Sequence, residues 1–418
     1  MTFAALGLID PLLRTLASLE YSSPTPIQAQ AIPAALKGRD LLASAQTGTG
    51  KTAAFALPVL QRLLHEGPKL ASNSTRALIL VPTRELAEQL LQSFQRYSES
   101  LPLRSYAVYG GVSINPQMMA LRKGVDVLIA TPGRLLDLYR QNAIKFSQLQ
   151  MLVLDEADRM LDLGFADELD QVVCALPSRR QTLMFSATFA APVRQLADGL
   201  LRDPLVLDIS PRNSAASSVE QWLVPVDKKR KGELLLQLLT QHNGAQALVF
   251  LNTRKGVEQL VERLGSAGLS ADAIHGDRPQ PARLRALARL KAGEVQVLVA
   301  TDVAARGLDI QQLPLVVNFD LPLNAEDYVH RIGRSGRAGT CGAAISLVSA
   351  DEVRQLAAIE TLTQQLLERR EEGGFTPDHR VPETRLGGQL IKKPKKPKKT
   401  KQPGSKGKVH LGTWFDES

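Results

Sequence analysis

Between Leu41 and Leu64 the chain passes from a short apolar run, Leu41–Ala43, through Ala45-Gln-Thr-Gly-Thr-Gly-Lys51-Thr52 into an apolar, helix-compatible stretch. Strand, glycine-rich loop and helix in that order constrain the chain to an α/β layer fold. Backbone N–H groups of such a loop, at a helix N-terminus, form a ready site for anions. Thr47, Gly48, Thr49 and Gly50 are therefore expected to wrap a phosphate chain. Lys51 supplies a point charge for the outer phosphates, and Thr52 a hydroxyl for a magnesium ion. The strict pattern G-x-x-x-x-G-K-[ST] wants glycine where the chain has Ala45, so a generic phosphate-loop kinase or GTPase is a poor match.

The rest of the chain repeats the same alternation. Candidate strands are Leu41–Ala43, Ala77–Val81, Tyr106–Tyr109, Val125–Ala130, Met151–Leu154, Thr182–Phe185 and Leu205–Ile209. They are apolar with little alternation, as expected of strands buried on both faces of a parallel sheet. Residues 210–218 read Ser-Pro-Arg-Asn-Ser-Ala-Ala-Ser-Ser, a linker composition. Strand-like runs then resume at Trp222–Val226, Ala247–Leu251, Ala271–Ile274, Val295–Ala300, Leu315–Phe319 and Ala343–Val348. The expected organisation is a first α/β domain over 1–209, a linker over 210–218, a second α/β domain over 219–368, and a tail over 369–418. Only the first domain carries a Gly-Lys-Thr loop.

Charge is unevenly placed. The formal net charge is +9, and Leu390–Ser418 holds nine lysines and two acids, or +7, leaving +2 for the other residues. Lys392–Lys401 reads Lys-Lys-Pro-Lys-Lys-Pro-Lys-Lys-Thr-Lys, a cationic strip with too little apolar surface to fold alone. Such a tail attracts phosphate backbone without reading sequence. Trp414 and Phe415 offer stacking on a base or docking on a partner. Cys174 and Cys341 lack paired spacing, so neither a zinc site nor a disulfide framework is indicated. Met1–Asp10 has no signal-peptide pattern, and no apolar run reaches membrane-spanning length, so a reducing, cytoplasmic setting is expected.

Met151–Leu154 runs directly into Asp155-Glu156-Ala157-Asp158. Carboxylates at the C-terminal edge of a parallel sheet sit where ligands bind. Asp155 is placed to hold magnesium, and Glu156 to orient or activate a water against the terminal phosphate. With the Gly-Lys-Thr loop, this set resembles the DEAD-box RNA helicase family. Further segments in the family's order support the resemblance: Pro24-Thr-Pro-Ile-Gln28, Pro82-Thr-Arg-Glu-Leu-Ala87, Gly110-Gly111, Thr131-Pro-Gly-Arg134, Ser186-Ala-Thr188, Ala300–Ile310 and His330–Gly339. The short body with a lysine-rich tail is most similar to the bacterial RhlE-like branch.

The resemblance implies two RecA-like parallel-sheet domains joined by a flexible linker, followed by a disordered basic tail. It implies ATP and Mg2+ as cofactors. Gln28 would hydrogen-bond the adenine edge and Phe3 would stack on the base. Glu20 occupies a position usually held by glycine. Asp309 would lie near the ribose. Arg334 and Arg337 would reach the terminal phosphate from the second domain, with Lys51, Asp155 and Glu156 as their catalytic partners in the first. Asp158, Ser186, Thr188 and His330, with Arg331, would couple the two sites. RNA would be held by Arg84, Gly111, Thr131 and Arg134 on one side and by Thr253, Arg254, Gly276, Arg283 and Thr301 on the other. Pro279 and Pro281 flank Gln280 and bear on where Arg283 points.

The function expected is RNA-stimulated ATP hydrolysis coupled to local separation of short duplexes or to ribonucleoprotein remodelling, by a monomer. Ribosomal or mRNA-decay particles are the partners expected besides RNA, and no membrane. The alternatives are an ATP-dependent RNA clamp in which unwinding is incidental, and a DNA-directed motor.

Overall fold

The computed structural model describes residues 2–45, 49–65, 70–209, 219–242, 244–302, 313–335, 342–386 and 389–390. The first unit is built on seven strands: β1 (Leu41–Ser44), β2 (Thr75–Leu80), β3 (Ser105–Val108), β4 (Val125–Ala130), β5 (Met151–Leu154), β6 (Gln181–Ser186) and β7 (Leu205–Asp208). Every pairing is parallel, in the order β3-β4-β2-β5-β6-β1-β7. The second unit uses β8 (Val219–Pro225), β9 (Ala247–Phe250), β10 (Ala271–Ile274), β11 (Val297–Ala300), β12 (Leu315–Asn318), β13 (Gly342–Val348) and β14 (Glu368–Arg369). Its order, β10-β11-β9-β12-β13-β8-β14, is the first order with seven added to each strand, again all parallel. The chain has thus folded one topology twice.

Burial follows from that layering. Along β5, Met151 and Val153 join the core on one face, and Leu152 and Leu154 the core on the other. Along β9, Ala247 and Val249 divide from Leu248 and Phe250 in the same way. Strands covered on both faces leave no room for a polar side, which is why their sequences do not alternate.

The start of the chain carries a strained joint. Helix Asp10–Ser18 ends in a Schellman turn, with Tyr21 N–H donating to Leu16 O and Glu20 N–H to Ala17 O. That turn needs a left-handed residue, and Glu20 takes it with φ 61°. The glycine geometry is kept by a residue with a Cβ, at a conformational cost.

The expected boundary at 368 is corrected. Residues 369–386 belong to the second unit. β14 extends its sheet beyond β8, and Phe375 and Val381 are buried in its cores. Arg369 donates to the carbonyls of Val381 and Pro382, and the Asp227 carboxylate accepts from the backbone of Asp378 and His379. The Arg230 guanidinium lies 4.6 Å from the centroid of the Phe375 ring. Expectation failed here because the charged run Glu368–Glu372 hides a two-residue edge strand. The linker 210–218 and the lysine-rich part of the tail lie outside the described residues.

One buried charge cluster organises the second unit. Lys231 opens helix Lys231–Gln241, and its Nζ donates to Phe319 O at 2.7 Å and Glu352 Oε2 at 2.6 Å, with Asp320 at 3.7 Å. Glu352 also accepts from the backbone N–H of Leu321 and Ser349.

Candidate nucleotide site and nucleic-acid interface

β1 delivers the chain to the phosphate loop. Ala45 is fully buried and continues the ladder by donating to Ser186 O, so this position behaves as sheet. Gln46, Thr47 and Gly48 lie outside the described residues. Gly50 sits at φ 90°, and a Cβ there would stand 2.3 Å from Gln28 Nε2, so only glycine fits. The Gln28 amide explains that crowding. Its Oε1 accepts from Thr25 N–H in a capping box, and its Nε2 donates to Gly50 O at 3.1 Å. Gln28 thereby joins the start of helix Pro26–Leu36 to the loop. Phe3 is buried in the first unit's core, edge-on to Tyr21 at 6.1 Å.

Lys51 opens helix Lys51–His65 with Thr52 behind it. The Lys51 side chain is 6% exposed, and its Nζ has no hydrogen-bond partner among the described residues. A buried ammonium without acceptors is unfavourable unless an anion completes it. The donor set therefore fits a phosphate.

Asp155 stands at the end of β5, continues the ladder to Leu80 O, and is buried. Burial pushes its carboxyl up to about 6, Lys51 pulls it back, and the Glu156 charge adds to the rise. Asp155 Oδ1 accepts from Glu156 N–H at 3.0 Å. Glu156 itself is left-handed, at φ 55° and ψ 52°, a strained conformation of the kind held at functional sites. Asp158 Oδ2 accepts from the N–H of Ala187 at 3.0 Å and of Thr188 at 3.1 Å, and Thr188 Oγ1 stands at 3.4 Å. Ser186 Oγ accepts from Thr188 N–H. Asp158, Ser186 and Thr188 thus form a hydrogen-bonded knot.

Helix Ala325–Ile332 brings the second unit to this edge. Burial pushes the His330 imidazole down to about 4; Asp158 opposes the shift, while Arg334, Arg159 and Lys51 add to it. His330 is thus neutral at neutral pH and lies within electrostatic reach of groups from both units. Arg331 is different. Nε and Nη2 bind the Asp302 carboxylate in a fork at 2.6 Å each, Nη1 donates to Asn318 Oδ1 and Asp320 O, and Nη2 also donates to Asn252 Oδ1. All the donors of Arg331 serve its own unit. Arg334 is buried. Arg337 and Asp309 lie outside the described residues.

On the nucleic-acid side the structure brings Arg84 and Gly111 together. Gly111 has φ 77°, and a Cβ there would overlap the Arg84 guanidinium at 1.8 Å. Thr131 is buried at the start of helix Pro132–Arg140. Arg134, expected to grip RNA phosphate, instead donates to Val112 O and Gln117 Oε1, fixing the turn that carries Gly111. Thr253 caps helix Arg254–Ser266 by accepting from Gly256 N–H. Arg254 pairs with Asp277 next to Gly276, and both side chains are exposed. Thr301 is buried at the end of β11. Arg283, a second expected phosphate donor, reaches across to the first unit and meets Glu85 Oε1 at 2.8 Å. Glu85 was not singled out from the sequence; its place inside Pro82–Ala87 was the available signal.

Residues 25–196 match the DEAD/DEAH box helicase family model, and residues 230–339 match the helicase conserved C-terminal domain. The chain is 38% identical over 372 residues to the DEAD-box ATP-dependent RNA helicase CshA of Bacillus subtilis, covering 89% of this chain and 74% of that protein. It is 38% identical over 368 residues to CshA of Geobacillus kaustophilus, covering 88% and 78%. Among solved structures, S. cerevisiae Dbp5 bound to RNA and ADP BeF3 matches with a TM-score of 0.79 at 32% identity, over 88% of this chain and 95% of that one. A Dbp5 variant bound to nup159, gle1, IP6 and ADP matches with a TM-score of 0.61 at 30% identity, over 89% and 96%.

Proposed function

The chain belongs to the DEAD-box ATP-dependent RNA helicases, and we propose that it couples closure of its two units around ATP and RNA to local strand separation. It is an enzyme of two RecA-like units that hydrolyses ATP. The observation that carries the mechanism is the buried Lys51 ammonium, without an acceptor among the described residues, beside the buried Asp155 carboxylate. Lys51 and the loop N–H groups hold the phosphates. Glu156, held left-handed next to them, positions and deprotonates the attacking water. Arg334 and Arg337 supply positive charge for the transition state when the second unit arrives. The base is assigned to Gln28, which keeps a second N–H and a second lone pair, and to Phe3. Asp309 is assigned to the ribose.

Magnesium is assigned to Thr52 and Asp155. When bound, the ion neutralises charge developing on the phosphates. No group of three or more acidic, histidine or cysteine side chains forms a metal cage among the described residues. A single carboxylate plus phosphate oxygens is the usual way magnesium is held.

RNA is assigned to the opposite mouth, with Arg84, Gly111, Thr131, Thr253, Arg254, Gly276 and Thr301 touching backbone. Such contacts favour little sequence preference, and contacts to 2′-hydroxyls favour RNA over DNA. The described arrangement matches Dbp5 bound to RNA and ADP BeF3 with a TM-score of 0.79, against 0.72 and 0.61 for Dbp5 variants bound to gle1, which supports reading it as the arrangement that RNA and nucleotide favour. ATP and RNA each favour closure because each gains contacts there. Ribonucleoprotein targets, a monomeric state and a cytoplasmic setting belong to the same proposal; no helix among the described residues is long and apolar enough to cross a membrane. The test is duplex unwinding alongside ATPase activity, each with RNA and with DNA oligomers. Robust RNA-stimulated hydrolysis without strand separation would favour a clamp. Equal stimulation by DNA would remove the RNA assignment.

A further inference from the structure

The nucleotide site lies at the C-terminal ends of the first unit's strands, where β5 delivers Asp155 and β1 leads to Lys51. The opposite edge of that sheet, where helices hand over to strands, is strongly basic. Six helix-to-strand connections there lie wholly among the described residues: 37–40, 98–104, 122–124, 141–150, 176–180 and 201–204. Each contains a lysine or arginine, and together they hold nine such residues against three acids.

Hydrogen bonds join these connections into one surface. The buried Asp40 carboxylate accepts from Thr182 N–H and Arg202 N–H, at 2.8 Å each. Gln181 Nε2 donates to Arg39 O at 2.6 Å, so Arg39, Arg179 and Arg202 stand on neighbouring backbone. Further along, Gln181 N–H donates to Gln150 O at 2.9 Å, Lys145 N–H to Asn73 O at 2.6 Å, and Ser72 Oγ to Arg122 O. Arg39, Arg122, Lys123, Lys145, Arg179 and Arg202 are all exposed. None of these six has an ion pair among the described residues. Seven strands at about 4.8 Å spacing make the edge about 30 Å long.

Helix C-termini end along this edge, and their dipoles favour cations. The topology does not require them, because the second unit repeats it without them. Its connections 267–270, 292–296 and 364–367 hold no lysine or arginine and one acid, Glu294. The basic edge therefore belongs to the first unit's sequence and not to the fold. An exposed row of unpaired cations fits an extended polyanion. No large apolar residue of these connections is exposed, so the edge lacks the anchors that a protein interface or a bilayer surface takes. The lysine-rich tail has the same sign of charge and is no match for it.

Resting on the reading that the chain binds RNA, we propose that this edge is a second RNA surface. It takes the phosphate backbone of RNA lying outside the cleft, without reading sequence. All its connections belong to one unit, so its grip does not wait for closure or for nucleotide. It favours long, structured RNA over short strands.

The test uses the full chain with two RNAs, a hairpin of about 60 nucleotides and a single strand of about 10, the latter within the reach of one binding groove. Arg39→Gln, Arg179→Gln and Arg202→Gln combined should weaken nucleotide-free binding of the hairpin by about tenfold and lower its log–log salt slope by about 2–3. Binding of the short strand with a non-hydrolysable ATP analogue, and ATPase stimulation by that strand, should match wild type. Arg122→Gln with Lys123→Gln, further along the same edge, should lower the hairpin slope by about 1–2 and keeps the test open should the first variant fail to fold. An unchanged hairpin slope overturns the proposal. So does an equal loss on the short strand, because the cleft would then be what the substitutions disturb. Vesicles rich in anionic lipid form a further arm: vesicle binding lost in the variants with hairpin binding intact would give the edge to a lipid surface and overturn the RNA assignment. A wild-type chain that binds neither RNA removes the reading of RNA binding itself, which separates the two failures.

Discussion

Arg283 of the second unit and Glu85 of the first meet at 2.8 Å, with side chains only 12% and 3% exposed. Neither helix needs the other to form, so this ion pair exists only when the units are together. Breaking one partner leaves a buried charge, whereas exchanging the two restores a pair. Glu85→Arg and Arg283→Glu should each raise the RNA concentration needed to stimulate hydrolysis. The double exchange should recover a coupling of about 1–3 kcal/mol, read from RNA half-saturation in a double-mutant cycle. Strictly additive single effects would show that Arg283 acts on RNA instead.

Glu156→Gln keeps the shape of the left-handed turn but removes the base. ATP and RNA affinities should stay within about threefold, while turnover falls by about a hundredfold or more. Single-turnover hydrolysis alongside nucleotide binding checks both halves.

Asp155 makes the apo protein pH-sensitive in a stated direction. Its folded value of about 6 lies above the usual carboxylate value. The group therefore contributes stability at low pH that is lost as pH rises through about 6. At pH 7 the ionised carboxylate is a cost, so Asp155→Asn should stabilise nucleotide-free protein by about 1–3 kcal/mol there and by little at pH 4. Urea unfolding at both pH values decides. Affinity for ATP with magnesium should fall in wild type as pH drops below about 6, because the metal takes the ionised form.

Glu20 occupies a left-handed turn that glycine would adopt freely. Glu20→Gly should stabilise the first unit by about 0.5–1 kcal/mol, the gain in the turn being partly offset by entropy in the unfolded chain. The comparison is of denaturation midpoints at unchanged slope.

The tail prediction divides at 386. Removing 387–418 should leave the melting temperature unchanged, and should weaken RNA binding and flatten its salt dependence by about 2–4 in log–log slope. Removing 369–418 should also lower the melting temperature, because Phe375 and Val381 leave the core and β8 loses its outer neighbour. An unchanged salt slope in the shorter truncation would exclude the tail as an RNA arm.

Strands were legible wherever both faces are buried, because Met151–Leu154 or Ala247–Phe250 must then be apolar throughout. β14 was not, since an edge strand of Glu368 and Arg369 has no apolar signature. Loop chemistry was legible in Gly50, Lys51 and Asp155, whose types are dictated by close backbone approach and charge. The employment of arginines was not. Arg84, Arg134, Arg159, Arg283 and Arg331 look alike in a sequence. Only packing tells that Arg134 holds a turn, Arg331 is saturated and Arg283 bridges the units.

Lys231 stands in the second copy of the topology where Lys51 stands in the first, as the residue that opens the helix after the corresponding strand. One lysine has no acceptor of its own among the described residues; the other has Glu352 seated on it at 2.6 Å. At the corresponding position the second copy therefore carries an anion that is part of its own chain. A machine built from two equal halves has in this way a single fuel inlet. The second half keeps that position filled by its own chain, so it can meet a nucleotide held by the first half only from across the cleft.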